Sequence, residues 1–226
     1  MTKLSIVFAG LTLAAPLAFG SGSPGPMSGG GDTAGMTSAP RMTPQQRAAS
    51  SYNAGLNHKK RAQEFEDKAA VASNENDRQK QLGKAKDQYE DAVDDYKKAI
   101  GYDPTMYQAM NELGYAYRKS GHYEDAIKAY NQALQVQPNF PQAVEYRAEA
   151  YLGMSMFKEV QDSYLALVRT DQDEAAALMR AMEAWLQTHQ ENQTPEQKAF
   201  NEWIVERKAV AMNTQSLTTN NIKSWN

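Results

Sequence analysis

Similar residues recur every 34 positions through the middle of this chain, and this period constrains the fold more than any other feature of the sequence. The recurring positions are Tyr89, Tyr123 and Phe157; Ala92, Ala126 and Val160; Tyr96, Tyr130 and Tyr164; Ile100, Leu134 and Val168; and Pro104 and Pro138. A period in this range is typical of solenoid proteins, in which each unit buries its apolar face against its neighbours. The sequence therefore predicts a stack of similar units.

The unit over residues 107–140 shows the internal pattern most completely. Its first half carries an apolar stripe with a small residue beside it: Met110, Leu113, Gly114 and Tyr117. Its second half carries a facing stripe with small residues in it: Ala126, Ile127, Tyr130, Ala133 and Leu134. Spacings of three and four residues place each stripe on one face of a helix. We therefore predict two antiparallel helices, joined by a short turn at residues 119–122 and closed by Pro138.

This pattern resembles the tetratricopeptide repeat, with Met110 where tryptophan is commonest and Tyr130 where phenylalanine is commonest. The resemblance implies an all-α solenoid of antiparallel helix pairs. We predict a helical domain over residues 43–211, made of an extended first repeat at 45–104, a second at 107–140, a degenerate third at 141–174 and capping helices at 174–211. Residues 212–226 lack periodicity and are predicted to form a flexible tail.

The first repeat is longer than the others. Gly55 and Ala92 are 37 residues apart, whereas Gly114 and Ala126 are 12 apart, so the first repeat carries 37 − 12 = 25 extra residues. The excess, about residues 61–86, contains good helix formers and a thin apolar seam of Phe65, Ala69 and Leu82, with cap and turn residues at 73–76. We predict an elongated helical hairpin with its tip at 73–76. Two interpretations remain open: a finger that contacts a partner, or long helices with solvated ends.

The first twenty residues have the features of a secretory signal peptide. Lys3 supplies a positive charge, residues 4–17 are apolar, and small residues follow at Ala18 and Gly20. The alternative is an uncleaved N-terminal anchor. Residues 21–42 are rich in Gly, Ser, Pro and Met and are predicted to form a disordered linker. We expect export to a bacterial-type periplasm or cell envelope, or secretion otherwise, with no membrane span after cleavage.

Composition and motifs give little support to a catalytic or metal-binding function. The net charge is −3 and there is no cysteine, which argues against nucleic-acid binding, a lipid-anchoring cysteine and disulfides. His58, His122 and His189 are isolated and lack metal-ligand spacing. No nucleophile-elbow, P-loop or zinc-protease motif is present. We therefore expect no catalytic residue, metal or cofactor.

The resemblance implies instead a concave groove, lined by the first helix of each repeat, that binds peptides or partner helices. The positions that carry over are Gln108, Asn111, Tyr115, Arg118, Lys119, Gln142, Glu145, Glu149, Leu152, Met179 and Glu183. The subfamily that clamps the carboxylate terminus of heat-shock chaperones uses lysine and asparagine at positions held here by Tyr52, Leu56, Glu112, Gln142 and Tyr146. The sequence therefore disfavours that ligand.

The hypothesis that best fits these features is an exported, non-catalytic adaptor or scaffold that binds a peptide or a protein. Two alternatives stay open. One is a helical subunit of a cell-envelope enzyme, or a cryptic enzyme of that compartment; the other is a self-associating structural protein of the envelope.

Overall fold

The structure is a computed structural model, and it describes residues 42–191 and 193–223, with side chains described as far as residue 210. The predicted signal peptide at 1–20 and nearly all of the predicted linker at 21–42 lie outside the described residues. Those predictions remain predictions.

Eight helices and no strand occupy the described residues. They are α1 (Pro44–Ala70), α2 (Glu75–Tyr102), α3 (Tyr107–Lys119), α4 (Tyr123–Val136), α5 (Pro141–Gly153), α6 (Phe157–Thr170), α7 (Gln172–Thr188) and α8 (Pro195–Lys223). Each of the first seven helices packs against the next, and α3 also meets α5 while α5 meets α7. This arrangement is the all-α solenoid of helix pairs that the sequence predicts.

Local capping explains where several helices begin. Thr43 caps α1 through its Oγ1, which accepts from the Gln46 amide at 3.2 Å, while the Gln46 side chain accepts from the Thr43 amide at 2.8 Å. Asp171 caps α7 by accepting from the Asp173 and Glu174 amides, both at 3.1 Å. These capping side chains begin the helices by satisfying amides that have no partner inside the helix.

A glycine of the first helix in a repeat receives a tyrosine ring of the second. A Cβ added at Gly114 would lie 2.6 Å from the Tyr130 ring, and one added at Gly55 would lie 2.5 Å from the Tyr96 ring. Both tyrosines are fully buried. The two helices can therefore approach only because each glycine lacks a side chain, as the repeat pattern predicts.

The first helical hairpin extends beyond its repeat, as predicted, with the turn between α1 and α2 at residues 71–74. Asn74 caps α2 by accepting from the Asp77 amide at 2.8 Å, so the tip lies within two residues of the predicted place. Ala69 of the predicted seam is buried, and Phe65 packs against a core cluster that the seam did not include. Ala62 and Ala85 are buried in the same core cluster as Leu113 and Ala116 of the second repeat. The base of the predicted 61–86 finger therefore belongs to the core, and we use "distal finger" for residues 67–84 alone.

The C-terminal helices close the stack. Phe200 and Ile204 of α8 are buried against residues of α6 and α7, and the Phe200 ring stacks on Phe157 with 4.5 Å between ring centroids. The helix then continues to Lys223, whereas the sequence predicted a frayed tail after residue 211. Residues 211–223 contain no proline or glycine, so nothing in this stretch breaks the helix.

None of the helices in the described part of the chain is long and apolar enough to cross a membrane.

Candidate functional site

Polar side chains join α1 to α3 at two points. Lys59 Nζ lies 2.6 Å from Glu112 Oε2, and Lys119 Nζ lies 2.7 Å from Glu66 Oε1. The two contacts are seven residues apart on both helices, which is about two helical turns. α1 and α3 therefore run side by side in the same direction, with their charged side chains facing each other.

The same spacing joins α3 to α5. Asn111 donates to Gln142 Oε1 at 3.5 Å, and Arg118 pairs with Glu149 seven residues later on each helix. The first helices of three successive repeats thus lie parallel and share one side of the solenoid. We call this surface the inner face, defined by the residues of these contacts together with Tyr115, Tyr146, Glu145 and the neighbouring Glu174 of α7.

Tyrosine rings occupy the centre of the inner face. The Tyr115 ring lies 5.4 Å from that of Tyr146 and 5.9 Å from that of Tyr89, centroid to centroid. Lys59 Nζ lies 4.2 Å from the Tyr115 centroid, and the Arg118 guanidinium lies 5.2 Å from Tyr115 and 5.3 Å from Tyr146. These rings therefore already bind two cationic groups of the chain itself through their electron-rich faces.

Two polar groups of the inner face are buried without a hydrogen-bond partner. Asn111 is 1% exposed and its Oδ1 is unpaired, and Glu145 is 2% exposed and its Oε2 is unpaired. Burial raises the pKa of Glu145 well above the ordinary value, and the Glu149 carboxylate adds to this rise. A carboxyl in this position favours the protonated form at neutral pH.

The structure brings seven of the predicted groove residues together on the inner face: Asn111, Tyr115, Arg118, Lys119, Gln142, Glu145 and Glu149. Gln108 is exposed on α3, and Lys119 at the end of α3 pairs with Glu66 of α1. The role of these residues in binding stays a prediction.

Three predicted groove residues lie elsewhere. Leu152 is 4% exposed in the C-terminal core cluster, and Met179 packs against that cluster. The side chain of Leu152 therefore lies in the core, and its role in binding stays a prediction. Glu183 pairs with Lys208 of α8, so the capping helix covers that part of α7.

Sequence reasoning missed Lys59 as a member of this surface. Lys59 follows Gly55 by four residues as Arg118 follows Gly114, so the register of the repeats contained the signal. Glu174 was also missed as part of it, because its position depends on which neighbouring helix the side chain meets.

The histidines have acidic or aromatic neighbours rather than metal partners. His58 Nδ1 lies 3.5 Å from Asp91 Oδ2, and the His189 ring stacks on Trp185 with 4.1 Å between centroids. Within the described chain, no three His, Cys, Asp or Glu side chains are grouped as a metal site would require.

Two repeat-family models match the chain: one described as TPR repeat over residues 114–155, the other as tetratricopeptide repeat over residues 81–106. No curated protein sequence shows significant similarity to it.

Solved structures are also similar to the chain. The second TPR domain of the human RPAP3 protein, in complex with an HSP70 peptide, is 18% identical and has a TM-score of 0.45, over 60% of this chain and 97% of that domain. A structure of the MamA protein is 16% identical with a TM-score of 0.42, over 75% of this chain and 92% of that one. The 34-residue period, the glycine-tyrosine helix pairs and the two repeat matches together show that this chain carries tetratricopeptide repeats within residues 81–155.

Proposed function

We propose that this chain is a non-catalytic protein-interaction adaptor that holds a peptide or a partner protein on its inner face. The observation that carries the proposal is the inner face itself, a continuous surface across α1, α3 and α5 built from tyrosines, amides and paired charges. Repeat solenoids use extended surfaces of this kind for binding. Tyrosine and arginine are also the side chains that contribute most to binding energy in protein interfaces.

The distal finger offers a second contact surface. Its side chains are mostly exposed, and Val71 at the tip is 82% exposed. A partner held on the inner face lies next to the base of the finger, since Lys119 and Glu66 link that base to α3. The finger would then extend the contact beyond the repeats.

We also propose that the protein is exported, on the strength of the leader at residues 1–20. Intact-mass measurement of the protein from its source cells tests this. Cleavage predicts a mature chain that begins near Ser21, whereas a membrane-associated species that keeps Met1 contradicts cleavage.

Site-specific photo-crosslinking in the source cells tests the adaptor proposal. The crosslinking amino acid replaces one exposed glutamine at a time: Gln108 next to the inner face, Gln132 on α4, or Gln79 in the distal finger. We expect one partner to be captured reproducibly from Gln108 and not from Gln132. Gln132 lies on α4, the second helix of its repeat, which does not form the inner face.

The other outcomes are equally informative. Capture from Gln79 together with Gln108 supports contact by the finger. Capture only of a second copy of this chain supports a self-associating structural protein. Equal capture from Gln108 and Gln132, or no capture from Gln108, contradicts the adaptor proposal.

A further inference from the structure

The inner face carries little free charge where α3 meets α5. We call this part the α3–α5 surface, and it consists of Asn111, Tyr115, Arg118, Gln142, Tyr146 and Glu149. Two ion pairs lie here and on the adjoining α1 side: Arg118 with Glu149, and Lys59 with Glu112. None of these four side chains is more than 24% exposed. Within the described chain, the α3–α5 surface therefore offers a ligand no unpaired ion.

Glu145, which lies next to Glu149, does not change this balance. Its side chain is buried, and burial raises its pKa, so that it favours the protonated form at neutral pH. A protonated carboxyl group bonds to a ligand as a neutral group, with one donor and one acceptor.

The tyrosine rings of this surface already hold cations of the chain itself. Lys59 Nζ lies 4.2 Å from the Tyr115 centroid, and the Arg118 guanidinium lies 5.2 Å from Tyr115 and 5.3 Å from Tyr146. A cation from a partner would compete with these groups for the ring faces. A ligand charge of either sign would have to break an ion pair, and the largely buried group left behind would lack a counter-charge. Charged ligand groups of both signs are therefore disfavoured.

Amides and a hydroxyl form a hydrogen-bond chain on the same surface. Asn111 donates to Gln142 Oε1 at 3.5 Å, and Gln142 Nε2 donates to the Tyr146 hydroxyl at 3.3 Å. Both bonds are longer than the usual range of about 2.7–3.2 Å, so exchanging one for a bond to a ligand costs little. The chain begins at Asn111 Oδ1, which is buried and has no donor. A donor supplied there would satisfy a costly buried acceptor and extend the chain.

A side-chain amide suits these groups better than any other neutral side chain. It carries both donors and an acceptor without a charge, so it can donate to Asn111 Oδ1 and accept from Gln142 Nε2. Gln142 and the two tyrosines are partly exposed, so the edge of the surface is open to a partner.

We propose that the α3–α5 surface recognises an uncharged, extended segment of the partner that carries asparagine or glutamine. Its side-chain amide bonds to Asn111 and Gln142, and its apolar parts pack on the exposed edges of the two tyrosines. This proposal rests on the adaptor function proposed above and specifies the chemistry of its ligand.

Fluorescence anisotropy with the full chain and three labelled peptides tests this. The peptides are acetylated and amidated octapeptides with proline at every second position, which keeps them extended, and with glutamine, glutamate or lysine between the prolines. We expect the glutamine peptide to bind at least about tenfold more tightly than either charged peptide. Added salt should leave its affinity within about twofold, because its contact contains no ion pair.

Substitutions at Gln142 place the contact on the molecule. Gln142→Ala removes the amide without adding a charge, and should weaken the glutamine peptide at least about fivefold and leave the lysine peptide unchanged. Gln142→Glu adds an acid that has no partner, and should weaken the glutamine peptide and tighten the lysine peptide, each at least about fivefold. Gln142 lies in the first turn of α5, where a carboxylate is favourable, so the fold is retained.

Gln132→Glu is the matched control, because it makes the same change at an exposed position of α4. It should change the affinity for each peptide by less than about twofold. An equal effect of Gln132→Glu and Gln142→Glu would overturn the proposal, since the peptides would then follow net charge alone. Binding of either charged peptide to the wild type as tightly as the glutamine peptide would also overturn it.

Failure of the ligand class is distinguishable from failure of the adaptor function. If a charged peptide binds best and blocks crosslinking from Gln108, the adaptor stands and the ligand class is wrong. The same holds if no peptide binds while Gln108 still captures a partner. Absence of both peptide binding and capture from Gln108 rejects both proposals.

Discussion

The second repeat and the distal finger are both helical hairpins, yet they are held together differently. In the second repeat, Gly114 receives the ring of Tyr130, and a Cβ there would lie only 2.6 Å from it. In the distal finger, Gly83 has nothing within 4 Å of the place where a Cβ would be. The distal finger therefore lacks the close glycine-tyrosine contact that holds the two helices of the second repeat together.

The first repeat contains both kinds of hairpin in one pair of helices. Its glycine-tyrosine contact joins Gly55 to Tyr96, 41 residues apart, whereas Gly114 and Tyr130 are 16 residues apart. The difference, 41 − 16 = 25, equals the excess length of the first repeat. The extra residues therefore lengthen the hairpin without altering the contact that defines the repeat.

The largest effect is expected for Gly114→Ala. The added methyl group would clash with a ring that is fully buried and has no room to move, so we expect a loss at the upper end of about 1–3 kcal/mol in the free energy of unfolding. Urea denaturation measures it. A loss below about 0.5 kcal/mol would mean that the helices are not as close as the structure places them.

The variant Glu145→Gln tests how much stability the chain loses by burying an ionisable carboxyl group in the repeats. Burial raises the pKa of Glu145 above its ordinary value of 4.5, so the folded chain binds more protons than the unfolded chain above that pH, and stability falls as pH rises. Gln cannot ionise in either state. We therefore expect the variant to be more stable than the wild type at pH 7 to 8, by roughly 1 kcal/mol.

Thermal melts across pH provide the check. The gain should vanish below pH 4.5, where Glu145 is protonated in both states. The control is Glu75 in the distal finger, whose effect on stability has the opposite sign. Hydrogen bonds from Gln79 and Arg78 lower the pKa of Glu75, so this carboxylate stabilises the folded chain at neutral pH and loses that effect in acid. A destabilised Glu145→Gln variant at neutral pH would contradict the assigned cause.

Gly83→Ala should stabilise the protein. The methyl group meets nothing, and alanine is favoured over glycine inside a helix by about 0.5–1 kcal/mol. Gly83→Ala and Gly114→Ala add the same methyl group to the two regions, and we expect them to change the free energy of unfolding in opposite directions. Destabilisation by both variants in urea would remove the contrast between the regions.

The smallest effect is expected from shortening the distal finger. Replacing residues 67–80 by the short Ser-Gly-His turn that joins α3 to α4 keeps Ala62, Glu66, Ala85 and Tyr89, which contact the second repeat or one another. We expect a cooperatively folded helical protein whose stability changes by less than about 0.5 kcal/mol. Circular dichroism during urea denaturation measures this, and loss of the cooperative transition would place the distal finger in the core.

The periodic features of this fold were predictable from the sequence, and several aperiodic ones were not. Gly114 and Tyr130 occur in register with their counterparts, and Thr43 and Asp171 carry local capping signals. The burial of Ala62 and Ala85 was not predictable, because an alanine among charged residues gives the same sequence pattern on a buried helix as on an exposed one.

The sequence predicted which residues lie on the inner face, but it did not predict which of them contact each other. The repeat register placed Arg118 and Glu149 on one side, but their pairing depends on side-chain conformations that spacing does not determine. The register likewise put Leu152 on the groove side, while its side chain packs in the C-terminal core cluster.

Native-state hydrogen exchange followed by mass spectrometry tests the central contrast most directly. Amides of residues 110–117 and 126–133, which flank the Gly114 and Tyr130 contact, should exchange only with global unfolding. Amides of residues 75–84 should exchange through local opening, with a free energy at least about 2 kcal/mol lower. Equal exchange free energies in the two regions would contradict the account, because the distal finger would then unfold together with the repeats.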